Sequence, residues 1–130
     1  HTQIRADIPI TYILAEQPET NDQAMESMPE ASVIINATGL GKDASGSPIT
    51  INGVFPKNAI AWDLNYRGNL IFLDHAHNQH KSRNLQVEDG WTYFIHGWTQ
   101  VISEVFDIEI PAFGECFSQL SLIARNCRKA

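Results

Sequence analysis

The sequence predicts an α/β domain in three layers: a mainly parallel sheet of about four strands, joined by crossover helices and closed by two helices at the end. Three observations predict it. Short β-branched apolar runs recur at residues 10–16 (ITYILAE), 32–37 (SVIINA) and 58–64 (NAIAWDL), as in strands covered on both faces. Stretches with apolar residues at helical spacing follow them, giving the alternation expected of crossover connections. The second run also breaks abruptly into Asn36-Ala37-Thr38 and two glycines, Gly39 and Gly41, and ligands of α/β folds bind beyond the carboxyl ends of strands. Asn36 and Thr38 can donate and accept hydrogen bonds there, while the glycines permit close backbone approach.

Taken in order, the run at 10–16 is a strand stopped by Pro18. Thr20, with Asp22 and Gln23 after it, caps a short helix that ends near Pro29. The second strand covers 32–37, and residues 39–53, rich in Gly, Ser, Asp and Asn, form a loop long enough to carry function. The third strand is 58–64. An amphipathic helix over 69–82 follows, with Leu70, Ile71, Leu73 and Ala76 on its apolar side, and then a short strand at 85–87. Asp89-Gly90 turns the chain into an apolar helix over 92–106. Pro111 opens the last helix, 113–128, with Phe117, Leu120, Ile123 and Ala124 on one stripe. There is no internal repeat and no boundary for a second domain, so residues 1–130 read as one domain.

Length and charge narrow the function classes. A 130-residue chain can bury about two-thirds of its unfolded surface and so hold its own core. The net charge of −6 and the scattering of nine Lys and Arg argue against nucleic acid as a partner, because phosphate binding needs clustered positive charge. No apolar run approaches the ~20 residues that cross a bilayer, which argues against a membrane partner and for a cytoplasmic location. Cys116 and Cys127 lie too far apart along one helix for a disulfide and read as reduced thiols.

Three segments, NATGLG at 36–41, WDLNY at 62–66 and DGWTYFIHGW at 89–98, resemble the C-terminal, nucleotide-binding domain of shikimate and quinate dehydrogenases in order and spacing. Each alone is weak; the three together, each after an expected strand, are a stronger signal. The resemblance covers roughly residues 10–128 and implies a partial Rossmann-like domain. It implies that Asn36, Ala37, Thr38 and Gly41 line the nicotinamide-ribose side of a dinucleotide cleft, that Gly90 lies against the nicotinamide with Tyr93 near it, and that Tyr66 touches the substrate. The family's substrate-binding glutamine aligns with Gly97, a departure; Gln100, one turn on, is the substitute. The implied cofactor is NADP or NAD, and no basic cluster after a second strand separates the two.

Other parts of the family pattern are missing. No G-x-G-x-x-G or G-x-G-G turn occurs, and residues 1–9 (HTQIRADIP) cannot supply one. The family's catalytic Lys and Asp belong to a preceding domain, so no catalytic residue is assigned in this chain. The chain therefore reads as the C-terminal portion of a longer protein.

Competing sites read as ordinary surface or core. Lys42-Asp43 is a solvated loop pair, and His75, His77 and His80 mark a solvent face rather than a metal site. His96 reads as a core histidine. Asp63 reads as a hydrogen-bonding turn residue, and Trp62, Trp91 and Trp98 as packing. Two function classes follow: part of an NAD(P)-dependent oxidoreductase acting on a shikimate- or quinate-like hydroxy acid, or a non-catalytic binding or assembly module derived from that domain. The second class predicts a homodimer through an exposed sheet edge.

Overall fold

The computed structural model describes residues 9–127. Four helices and three strands follow in the order α1 (Pro18–Glu26), β1 (Val33–Asn36), β2 (Ile60–Asp63), α2 (Ile71–Arg83), β3 (Gln86–Glu88), α3 (Trp91–Phe106) and α4 (Gly114–Cys127). The strands form one parallel sheet in the order β1-β2-β3, with Val33 opposite Ile60, Asn36 opposite Asp63, and Trp62 opposite Glu88. All three carboxyl ends therefore lie at one edge of the molecule. The helix expected to reach residue 128 is seen to Cys127; residue 128 and most of the HTQIRADIP segment lie outside the described residues.

Three strands are seen among the described residues, not about four. The segment 10–16 forms no strand, and Leu14 is 84% and Tyr12 74% exposed. Its β-branched and aromatic residues carry strand propensity, but that propensity expresses fit to a pleated, half-buried surface, and no strand pairs with the segment. Pro18 does not merely stop a strand. It occupies the first turn of α1, where its missing N–H and fixed φ suit a helix start, and Gln17 holds the N-cap position expected for Thr20.

Alternation along the strands sends Ile34, Asn36, Ala61 and Asp63 to one face of the sheet and Val33, Ile35, Ile60 and Trp62 to the other. The core lies on the first face. Met25 of α1, Phe72, Leu73 and Ala76 of α2, Ile49, Phe55, Ala59, Ala61 and Leu85 form one buried cluster, with Phe55 and Phe72 edge to face at 5.5 Å. On the second face Val33 and Ile35 stay half exposed, and Tyr93 of α3 meets Trp62 at 6.1 Å. Where three layers are expected, the described residues show one packed layer of helices and a partly open second face. No buried residue lies in α4, whose expected apolar stripe contributes Phe117, stacked on His96 at 4.3 Å; Ser121 accepts a hydrogen bond from Trp91 Nε1 at 2.9 Å.

The connection between β1 and β2 is held by side chains from both core helices. Asn21 of α1 donates to Pro48 O, and Asp22 accepts from Thr50 N at 3.0 Å. From α2, Gln79 accepts from Phe55 N and donates to Gly53 O, while Arg83 Nε donates to Phe55 O at 2.7 Å. These bonds satisfy backbone groups that no ladder could reach, and they fix the long loop against the two core helices.

Candidate functional site

A polar cluster joins the carboxyl ends of β1 and β2. Asn36 is 2% exposed, and its Nδ2 donates to Asp63 Oδ2 at 3.1 Å; its Oδ1 accepts from Thr38 N at 3.0 Å and from Thr38 Oγ1 at 2.7 Å. Asp63, fully buried, accepts at Oδ1 from Asn65 N at 2.8 Å. This is the turn role that the sequence predicts for Asp63, an acidic side chain bonding its own backbone two residues on. Asn65 Nδ2 then donates to Thr38 O at 2.9 Å and Leu40 O at 3.2 Å, so the two strand-end turns are laced together.

Glycines let the turns approach. Gly41 has φ +87° and Gly68 has φ +93°, in the region that favours glycine, and a Cβ on Gly68 would lie 2.1 Å from Gly41 O. Asn69 N donates to Gly41 O at 2.8 Å across the same contact. At the end of β3, Gly90 packs flat on the turn after β2: its N donates to Asn65 O at 3.0 Å, and a Cβ there would lie 2.0 Å from Leu64 O. The close approach at Gly90 is made by the chain's own backbone, a cause that no local sequence pattern displays.

Beside this cluster stands an aromatic wall. Tyr66 stacks on Phe94 with ring centroids 4.0 Å apart, and Trp91 meets both rings at 6.0 and 5.8 Å. Tyr66 is half-buried, so its ring is oriented by packing. Asn36, Thr38, Gly41, Tyr66 and Gly90 are brought to one edge; Ala37 is exposed in the same turn, and Tyr93 lies on the opposite side of α3's start, against Trp62. Gln100 is exposed about 10 Å farther along α3 from Tyr93, by the helical rise, and makes none of the cluster's contacts. Lys42 and Arg67 pair with Asp43 at 3.0 and 3.3 Å, in keeping with a solvated loop pair.

Asn65 and Gly68 are site residues that sequence reasoning passes over. The signal for Asn65 is an amide two residues beyond a strand-ending Asp, ready for a turn; its reach to Thr38 and Leu40 depends on the pairing of β1 with β2, which no local pattern carries. For Gly68 the signal is only the glycine itself.

Burial pushes the Asp63 carboxyl above its ordinary value of 3.8. Hydrogen bonds from Asn65 N–H and the Asn36 and Asn65 side chains oppose the shift, and the neighbouring Asp89 adds to it. In the unfolded chain the group ionises at its ordinary value, so between that value and the raised one the unfolded state binds fewer protons, and this contribution to stability falls as pH rises. Urea unfolding of the wild type and Asp63→Asn should show the wild type's margin over the variant shrinking as pH rises from 3.8 through that window, then levelling. A margin that widens over the window would contradict the assignment.

Comparison of the chain with protein families, with curated proteins and with solved structures finds no match. Among the described residues no helix is long and apolar enough to cross a membrane.

Proposed function

We propose that this chain forms the nicotinamide-side wall of an NAD(P)-binding cleft in a shikimate dehydrogenase-like oxidoreductase. The observation that carries the reading is the meeting of the 36–41 turn, the 62–66 segment and Gly90 at the carboxyl ends of three consecutive parallel strands. Those are the three segments on which the resemblance to shikimate and quinate dehydrogenases rests, and α/β folds bind ligands at that edge. The groups at that edge suit the cofactor: Ala37 and Thr38 are exposed in their turn, and Tyr66 is a packed tyrosine beside them.

When bound, the cofactor would supply hydride exchange with a carbinol or ketone carbon of a shikimate- or quinate-like acid. The chain's own residues position the reactants. Ala37 and Thr38 flank the nicotinamide-ribose end, with their turn locked by Asn36, Asp63 and Asn65. Tyr66 orients the acid through its phenol, its ring held by Phe94 and Trp91. Gln100 and Tyr93 are the further substrate and cofactor contacts in this reading. The sequence contains no glycine-rich pyrophosphate turn and no catalytic Lys/Asp pair of the family, so binding by these 130 residues is expected to be weak, with Kd roughly in the millimolar range.

Amide NMR titration tests the reading. NADP should shift the resonances of Thr38, Gly41 and Gly90, while adenosine 2′,5′-bisphosphate, which has no nicotinamide, should leave them in place. Equal shifts from both compounds, or shifts confined to other residues, would refute a nicotinamide-side wall.

A further inference from the structure

The sheet ends at β1, and the core is uncovered there. Ser32 O and Asn36 O accept from Ile60 N and Leu64 N, so by the alternation of a parallel ladder the backbone groups of Val33 and Ile35 point the other way. Among the described residues no strand lies on that side of β1. Between this edge and α1 opens a cavity of about 330 Å³. Its floor is core, made by Met25, Ile49 and Phe72, while Met28, Val33 and Ile35 stand half exposed at its mouth.

The same chain carries a segment with the composition that such an edge takes. Residues 10–16 (ITYILAE) form no strand, and Ile10, Tyr12, Ile13 and Leu14 are each more than half exposed. Laid beside β1, alternation would put Ile10, Tyr12 and Leu14 over the cavity, and Thr11, Ile13 and Ala15 next to Val33 and Ile35 on the other face. Apolar side chains then meet apolar surface on both faces. In its own chain the segment is joined through Gln17 alone to Pro18, where α1 begins. A strand-to-helix turn takes about 2–6 residues, so the segment cannot run beside its own β1 to its end while α1 stays docked. A second copy has no such tether.

We propose that the β1 edge is a docking surface for a second copy of this chain, which adds residues 10–16 to the sheet as a fourth strand. Each copy gives one strand and receives one, so the exchange is two-fold and closes as a dimer. The outward N–H and C=O groups of Val33 and Ile35 supply the backbone bonds, and the cavity takes the side chains. The inference does not rest on the cofactor reading, and its failure leaves that reading untouched.

Sedimentation equilibrium of the full chain tests it. Wild type should show a monomer–dimer equilibrium with Kd roughly in the micromolar range. Leu14→Glu sets a charge over the apolar cavity and should weaken association at least about tenfold. Leu14 lies outside the core cluster, so the variant should keep the amide NMR spectrum of a folded monomer. A synthetic peptide of residues 10–16 added to that monomer should then shift the Val33 and Ile35 amides. A wild type that stays monomeric up to about 1 mM overturns the proposal. So does a dimer that Leu14→Glu leaves intact, the result expected if two β1 edges pair directly, and so does a peptide that moves neither amide.

Discussion

Gly90→Ala should destabilise the fold by about 3 kcal/mol, at the upper end of what overpacking costs. The added methyl would lie 2.0 Å from Leu64 O, 2.4 Å from Leu64 C and 2.9 Å from Asn65 C. All three are backbone atoms, so no side chain can swing away; either the turn after β2 or the start of α3 has to move. Either movement breaks the Gly90 N–H bond to Asn65 O and disturbs the seating of Phe94 against Tyr66. Conformational freedom is not the cause, because Gly90 has φ −80°. Gly97→Ala separates the two effects: nothing lies within 4 Å of a Cβ there, and the position is inside α3, so alanine should stabilise by up to about 1 kcal/mol. Denaturant unfolding of the two variants checks both expectations. A Gly90→Ala protein as stable as wild type would contradict the close approach of the turn.

The second large effect is expected at Asp63. Asp63→Ala removes both acceptors that hold the strand ends, leaving Asn36 Nδ2 and Asn65 N without their partners in a buried site. Each stranded donor costs about 1–3 kcal/mol, so a loss of about 3 kcal/mol is expected even though removing the buried carboxylate also removes its desolvation cost. The damage should be local as well as global. Hydrogen exchange at Thr38 and Asn65 should accelerate more than at the β1–β2 ladder, because the turns lose their clasp while the ladder keeps its register. Uniform acceleration across the sheet, or none, would mean that Asp63 does not organise the edge.

Legibility of this fold in the sequence follows how local each cause is. The Val33-Ile34-Ile35 run and its sudden end at Asn36 mark β1 and its carboxyl end, because both depend only on neighbouring residues. The helices over Ile71–Arg83 and Trp91–Phe106 follow from their apolar spacing, to within two residues. Residues 10–16 have the same composition as a strand and are not one, since propensity cannot say whether a neighbouring strand is present. Asp63 is legible because its partner is two residues away. Asn65 is not, because its partners, Thr38 O and Leu40 O, come near only through the pairing of β1 with β2. Gly90 is legible as a close-approach glycine, but the object approached, the Leu64–Asn65 backbone, is a tertiary fact.

Excitation of tryptophan while titrating NADPH measures the central claim most directly. Trp62 lies in β2 and Trp91 begins α3, where it meets Tyr66 of the candidate site, so a dihydronicotinamide held at that edge should take up their excitation and emit at its own longer wavelength. The account predicts a saturable rise in that emission, reversed by excess NADP and reduced in Asp63→Ala. Emission that climbs linearly without saturation, or that NADP cannot displace, would contradict a nicotinamide site at the carboxyl ends of the strands.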